Sequence, residues 1–218
     1  MWHDITPEAD TEYNLWHTRE HMPERIALPG FIRSRRGLNR GLDRQIYFTL
    51  YECKDLGSVV SPEYQRSLNF PTGWTQRVAP HFRNFKRMSC EITVTSGQGV
   101  GGSIATFRGL LPAGKGEAEM LDALRATVEP IQAMASVTGV HIALARPASA
   151  NGETTEVQIR PVMTEPEFDM VVIVEGIGLA EIAADQAAIG AILSGAGLTG
   201  LIAQSYDMAY MLDVASAA

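Results

Sequence analysis

The pattern of hydrophobic and polar positions changes period several times along the first hundred residues, and each change marks an element. Met1 to Ile5 is short and apolar apart from His3 and Asp4, and reads as a strand. Thr6-Pro7-Glu8 then opens a helix, with a threonine cap, proline at the first helical position and acids in the first turn. At about 100° per residue, Ala9, Tyr13, Trp16, Glu20 and Ala27 share one stripe. His17, His21, Glu24 and Leu28 lie along its flank, and Pro29-Gly30 stops the helix. Alternation returns over Phe31 to Leu38, with Arg33 and Arg35 on one face and Arg36 on the other. Gln45 to Cys53 alternates cleanly. Ile46, Phe48 and Leu50 suit a helix layer, whereas Tyr47, Thr49 and Tyr51 suit a half-polar cavity. Ser61-Pro62-Glu63 and Thr72 open two further helical segments, and Arg87 to Thr95 reads as a fourth strand. The resulting order, β-α-β-β-α-β, is ferredoxin-like.

The second half repeats that order. Ile104 to Gly109 predicts a strand, Glu117 to Val137 a helix, and Gly139 to Leu144 a strand. Asn151-Gly152 marks a turn. Strands are expected near Glu156 to Val162 and Met170 to Glu175, a helix near Leu179 to Ser194, and a closing strand from Leu201 to Asp213. Between the halves, Ser96-Gly97-Gln98-Gly99-Val100-Gly101-Gly102 formally contains GxGxxG. A dinucleotide site needs that motif between a strand and a helix, and here a strand follows, so it reads as a linker. The expected organisation is a repeat over 1–97 that carries the site, a glycine-rich linker over 98–102, and a second repeat over 103–218. The fold class is α+β.

Composition narrows the partners. With 218 residues, 45% of them hydrophobic, the chain can bury one large core or two smaller ones. A net charge of -7 argues against nucleic acid or an anionic membrane surface, both of which need a basic footprint. The two cysteines, Cys53 and Cys90, fall within apolar runs and read as small buried hydrophobes, not as a disulfide framework. The first residues lack the pattern of a signal peptide, and no apolar run reaches roughly 18 residues. A soluble cytoplasmic protein is the expectation.

The densest chemistry lies in Trp16-His17-Thr18-Arg19-Glu20-His21-Met22-Pro23-Glu24-Arg25, which holds two of the five histidines. His17 has Glu20, His21 and Glu24 within helical reach. A carboxylate beside a histidine fixes its tautomer and raises its basicity, which suits general acid–base work. Glu20 falls on an otherwise apolar stripe, so it needs a partner among His17, His21, Arg25 or an arginine of the next strand. Tyr47 and Tyr51 would line a pocket, and Arg33 or Arg35 would stabilise a developing enolate or phenolate. Of the adjacent His3 and Asp4, His3 is the one expected to face the pocket. Trp74 is either packing or a stacking wall for substrate. A rival reading is metal binding, because His17 to His21 spells HxxEH, with Glu24 or Glu91 as a third ligand. His81 and His141 are candidate haem ligands. A further rival is structural: Glu20, His21 and Arg25 tie the helix end to the sheet.

The run Glu20-His21-x-Pro23 followed by Pro29-Gly30-Phe31 and a strand resembles the dimeric α/β-barrel superfamily, particularly its EthD-like branch. The resemblance implies two ferredoxin-like units supplied in tandem by one chain, and a homodimer as the assembly. It also implies cofactor-free cyclases, isomerases, dehydratases or lyases acting on small aromatic or polyketide-like molecules. Haem or metal enzymes and non-catalytic binding or stress-response proteins are the alternatives it carries. In cofactor-free members, histidines matching His21 and sometimes His3 do acid–base work. The resulting expectation is one site per chain, with His21 as base or acid, Glu20 its orienter, His3 or His17 the second proton carrier, and no metal or other cofactor.

Overall fold

The computed structural model describes residues 1–146, 154–162 and 164–214. The chain forms two compact units. The first comprises residues 1–89 with the described parts of 147–165 and 209–218, and the second comprises 90–146 and 166–208.

In the first unit, β1 (Trp2–Ile5) leads through a short 3-10 turn into a helical run made of α1 (Asp10–Trp16), a π-helical turn (His17–His21) and α2 (Met22–Ile26). The sequence predicts one continuous α-helix here. Pro23 explains the difference, because it lacks an N–H and its ring crowds the carbonyl four residues back, which favours a widened turn just before it. β2 (Phe31–Leu38) and β3 (Tyr47–Cys53) follow, then α3 (Pro62–Asn69), α4 (Gly73–Val78) and β4 (Phe82–Lys86). The strand order is β4-β1-β3-β2, all antiparallel, which is the ferredoxin-like order. Ser61 and Thr72 cap α3 and α4 as expected, accepting from the backbone N–H groups of Tyr64 (3.2 Å) and Thr75 (3.0 Å). Thr6 makes no cap bond; its hydroxyl lies 2.8 Å from Nδ1 of His81 instead.

Register assigns the sheet faces. His3 sits opposite Tyr47, Arg36 opposite Thr49, and Ser34 opposite Tyr51, so these residues share one face. Tyr13 and Trp16 of α1 pack against Tyr47 and Phe82, which makes this the face under the helices. The sequence predicts the reverse, with Phe48 and Leu50 under the helices and the tyrosines lining a cavity. The aromatic bodies of the tyrosines fill the layer, while Asp10 and Asn14 on α1 meet the Tyr47 hydroxyl at 2.6 and 2.7 Å. Phe48 turns to the other face beside Trp2, with ring centroids 5.3 Å apart.

The stretch read as a fourth strand of the first repeat divides differently. β5 (Cys90–Gly97) pairs with β7 (Val137–Ala145) and belongs to the second unit. That unit continues with β6 (Ser103–Leu110), α5 (Glu117–Gln132), β7, β8 (Met170–Gly176), α7 (Leu179–Gly195) and β9 (Thr199–Asp213) as far as Met208, the end of β9 falling in the first unit. Its order, β9-β6-β8-β7-β5, is again ferredoxin-like, with β5 as an added edge strand. Phe107, Met120, Leu124, Ile142, Val172 and Ile189 form its core between sheet and helices. The glycine-rich stretch joins β5 to β6, with Gly97 and Gly99 at φ +96 and +85, so the GxGxxG letters open no helix. The Gly101 N–H donates to the buried Glu175 carboxylate at 2.5 Å.

The connection between β7 and β8 runs over 146–169, far longer than the 39–46 loop between β2 and β3. The strand expected at Glu156 to Val162 is absent. A short helix, α6 (Thr155–Gln158), lies there and belongs to the first unit. The turn expected at Asn151-Gly152 lies outside the described residues. Cys53 and Cys90 are free and half-buried, and burial pushes both thiols up to about 11. No described helix is long and apolar enough to cross a membrane.

Candidate functional site

The histidines of the first unit come together in its helix–sheet layer. His3, His17 and His21 are all buried. β1 places His3 with Nε2 at 2.9 Å from the Tyr13 hydroxyl, and its ring stacks on Tyr47 at 5.5 Å. Tyr13 in turn stacks on His17 at 5.1 Å, and His17 on His21 at 5.6 Å. Trp16 lies against His21 with ring centroids 4.3 Å apart. The result is a row of rings, His3, Tyr13, His17 and His21. The π-helical turn holds the last two histidines at its two ends.

Burial dominates the electrostatics. It drives the pKa of all three imidazoles well below the ordinary histidine value, with His17 and the cations Arg25, Arg36 and Arg160 adding to the effect at one or more of them. All three are therefore neutral at pH 7. This carries a consequence for stability. The unfolded chain takes up protons near the ordinary histidine pKa while the native chain does not, so stability rises with pH through that range. As pH falls from about 7 towards 5, the unfolding free energy should drop by up to about 1.4 kcal/mol per pH unit for each of the three histidines. Urea titrations across that range check it, and a flat profile would mean that these histidines charge freely in the native state.

Of the residues expected at the site, His3, His17, His21, Tyr47 and Tyr51 lie on this layer. Glu20 does not orient His21. Its Oε1 accepts from the Thr72 hydroxyl at 2.5 Å, because the π turn rotates it out of the α-helical stripe and toward the start of α4. The carboxylate near His21 is Glu24, whose Oε2 lies 4.0 Å from Nδ1. Burial raises the Glu24 pKa. Arg33 and Arg35 are also away from the cluster. They share a face with Glu52, and both pair with it, at 3.4 and 3.0 Å. Trp74 serves packing at the contact of α4 with α1, where its indole N–H donates to Glu12 at 2.6 Å. Asp4 turns from the cluster to accept from the Gln45 and Ile46 N–H groups, each at 2.8 Å.

Arg36 takes the place expected of Arg33 or Arg35. Its guanidinium is buried, with Nη1 3.3 Å from the Asn14 carbonyl and 3.4 Å from Nδ1 of His17, and Nη2 3.0 Å from the Thr18 hydroxyl. No carboxylate pairs with it among the described residues. The alternation of β2 already separates Arg36 from its neighbours, and its proximity to a helix with two histidines was the usable signal. Tyr13, at i−4 from His17 on the apolar stripe, was legible in the same way. At the α2 end, Tyr51 is half-buried, but its hydroxyl is out of solvent and has no hydrogen bond among the described residues, and Nδ1 of His21 likewise has none. Arg25 is held by the Ser67 hydroxyl at 2.6 Å and by Glu156 at 2.5 Å. No sequence signal links Glu156 to Arg25, since 131 residues separate them and its segment alternates as a strand does.

The HxxEH letters do not assemble a metal site. Among the described residues no three His, Cys, Asp or Glu side chains converge in a way that could hold an ion. Glu91 pairs with Arg146 in the second unit at 3.2 Å. His81 is engaged by Thr6 and lies 3.6 Å from Glu8, and His141 lies 3.4 Å from Glu175.

No protein-family model and no curated protein matches the chain. Solved structures do. An anthrone oxidase-like protein is 11% identical, with a TM-score of 0.66 over 100% of this chain and 92% of its own. A protein described as a candidate monooxygenase from Fusobacterium nucleatum is 8% identical, with a TM-score of 0.59 over 97% of this chain and 91% of its own. Another so described, from Lactobacillus acidophilus, is also 8% identical, with a TM-score of 0.52 over 97% and 93%. At such identities the likeness concerns fold alone: each of the two units has a ferredoxin-like α+β fold, and these neighbours match it along nearly the whole chain.

Proposed function

We propose that the first unit houses the site of an acid–base enzyme that takes a proton from a small aromatic or polyketide-like substrate without a redox cofactor. One observation carries this reading: His21 is a buried, uncharged imidazole whose Nδ1 has no hydrogen-bond partner among the described residues, with Glu24 4.0 Å away. A neutral imidazole in a dry layer can accept a proton, and a nearby carboxylate favours the imidazolium that forms. His21 is the base, Glu24 the carboxylate that supports it, and His17 or His3 the second proton carrier. Arg36 offers a buried cation, with no carboxylate of its own, for the enolate or phenolate that proton removal creates. Tyr51, whose buried hydroxyl has no partner, donates to the substrate. The substrate class and the freedom from cofactors rest on the resemblance in the sequence. Reprotonation elsewhere on the carbanion gives isomerisation; expulsion of a group gives a lyase or dehydratase; attack on an internal carbonyl gives a cyclase.

The names of the structural neighbours favour a second fate for the same carbanion, which is reaction with dioxygen. In balanced form an activated CH2 group and O2 give a carbonyl and water: two C–H bonds break, one oxygen atom enters the product, and the other leaves as water. Proton abstraction is common to both readings, so the test starts there. Anthrone and a panel of hydroxynaphthalenes are incubated with the protein in D2O, with and without oxygen. Deuterium exchange or turnover without oxygen supports the acid–base reading. Oxygen-dependent carbonyl formation with label from 18O2 supports the second. Neither exchange nor turnover above background across the panel overturns the proposal.

A further inference from the structure

The long connection between β7 and β8 does something its own unit does not need. Its described residues 154–162 fall in the first unit, where α6 and the turn after it deliver Glu156 and Arg160. Glu156 is buried and bridges two guanidiniums: Oε2 meets Nη2 of Arg25 at 2.5 Å, and Oε1 pairs with Arg160. The Arg160 guanidinium lies over Phe85 and Phe82, 4.5 and 5.3 Å from the ring centroids, and Phe82 is itself 4.8 Å from the His3 ring. Arg25 lies over Tyr64 at 5.6 Å and follows Glu24 directly. The two cations, joined by one carboxylate, thus reach the surroundings of the histidines, Arg25 through the helix that carries His21 and Arg160 through Phe82 beside His3. Burying such a triad costs desolvation that apolar side chains of similar size would avoid, so stability alone gives no reason for it.

We propose that Glu156 and Arg160 are positioning residues for the site in the first unit, so that the half of the chain without a histidine cluster completes the half that has one. Glu156 holds the Arg25 fork in place, and Arg160 holds Glu156 while setting a positive charge over Phe82, the ring beside His3. Both guanidiniums oppose protonation of His21, and Arg160 also opposes that of His3. The other ionisable groups facing His21 are Glu24, His17 and His3; those facing His3 are Tyr13, Tyr47, His17, Arg36 and the chain's amino terminus. The inference rests on the proposed role of His21, but its test does not require turnover.

Ring resonances of His3 and His21 are followed by NMR against pH in the full chain, in the native protein and in the variants Arg160→Gln and Arg160→Lys. Arg160→Gln should move both titrations up by about one pH unit, the size expected when a nearby like charge is removed. Arg160→Lys keeps the charge and should restore the native midpoints. Unmoved midpoints in Arg160→Gln would overturn the proposal, as would equal shifts in both variants, which would point to packing in place of charge. Should Arg160→Gln unfold, the double variant Glu156→Gln/Arg160→Gln removes the carboxylate it would strand, and the same two outcomes decide. Shifted titrations in a protein that still turns over as His21→Ala would leave the positioning in place and remove the base assignment alone.

Discussion

Replacing His21 with alanine should cut turnover by about 10²- to 10⁴-fold, the range that a positioned acid–base group supplies. His21 is buried with its Nδ1 unpartnered and Trp16 packed on its face, so the loss should come without loss of the fold. Far-UV circular dichroism should stay native, while the melting temperature falls by the few degrees that a small cavity beside Trp16 implies. His17→Ala and His3→Ala should cost less if they relay protons, and Glu20→Gln should leave turnover close to native because Glu20 bonds Thr72 and not His21. Unchanged turnover in His21→Ala would make the row of rings a packing device.

The largest stability effect should come from Glu156→Ala. Removing the carboxylate leaves the largely buried Arg160 guanidinium without its partner and Arg25 with only Glu24, 3.8 Å away, and breaking a buried pair from one side costs about 3–5 kcal/mol. Urea unfolding monitored by the fluorescence of Trp16 and Trp2, both in the first unit, reads it directly. The triple variant Arg25→Met, Glu156→Leu, Arg160→Met should recover most of that loss, since a matched apolar trio avoids the desolvation of three charges. Recovered stability with lost turnover would separate what the triad does for chemistry from what it does for folding. A triple variant as unstable as Glu156→Ala would show that the charges themselves hold the layer together.

Much of the fold was legible because it is written in local periodicity. The alternation of Tyr47 to Tyr51 and the caps at Ser61 and Thr72 specify a strand and two helices from neighbouring residues alone. The two repeats followed from the order of those elements. The misreadings share a cause, which is that they depended on something non-local or on a departure from ideal geometry. An ideal helical wheel puts Glu20 on the apolar stripe, and the π turn before Pro23 breaks the wheel. Arg33 and Arg35 were rightly set on the face opposite Arg36, but which face meets the helices is decided by packing partners such as Tyr13 and Phe82. The strand at Cys90 to Gly97 has no sequence mark that says which sheet it joins. Glu156 sat in a short apolar-polar alternation that mimics a strand, and its partner Arg25 lies in the other half of the chain.

The split of the first unit along the chain bears on the order of synthesis. Its first four helices and four strands are made early, yet α6 with Glu156 and the end of β9, where the Ser34 hydroxyl meets the Leu212 carbonyl at 3.4 Å, are made late. The second unit can close once residue 208 is out, from two stretches that lie near each other in sequence. The first must hold an unfinished layer, with Arg25 lacking Glu156, while more than a hundred further residues are made. Contacts over such separations are slow to form. Within these 218 residues the unit whose first strand comes earliest thus waits longest for its closing contacts.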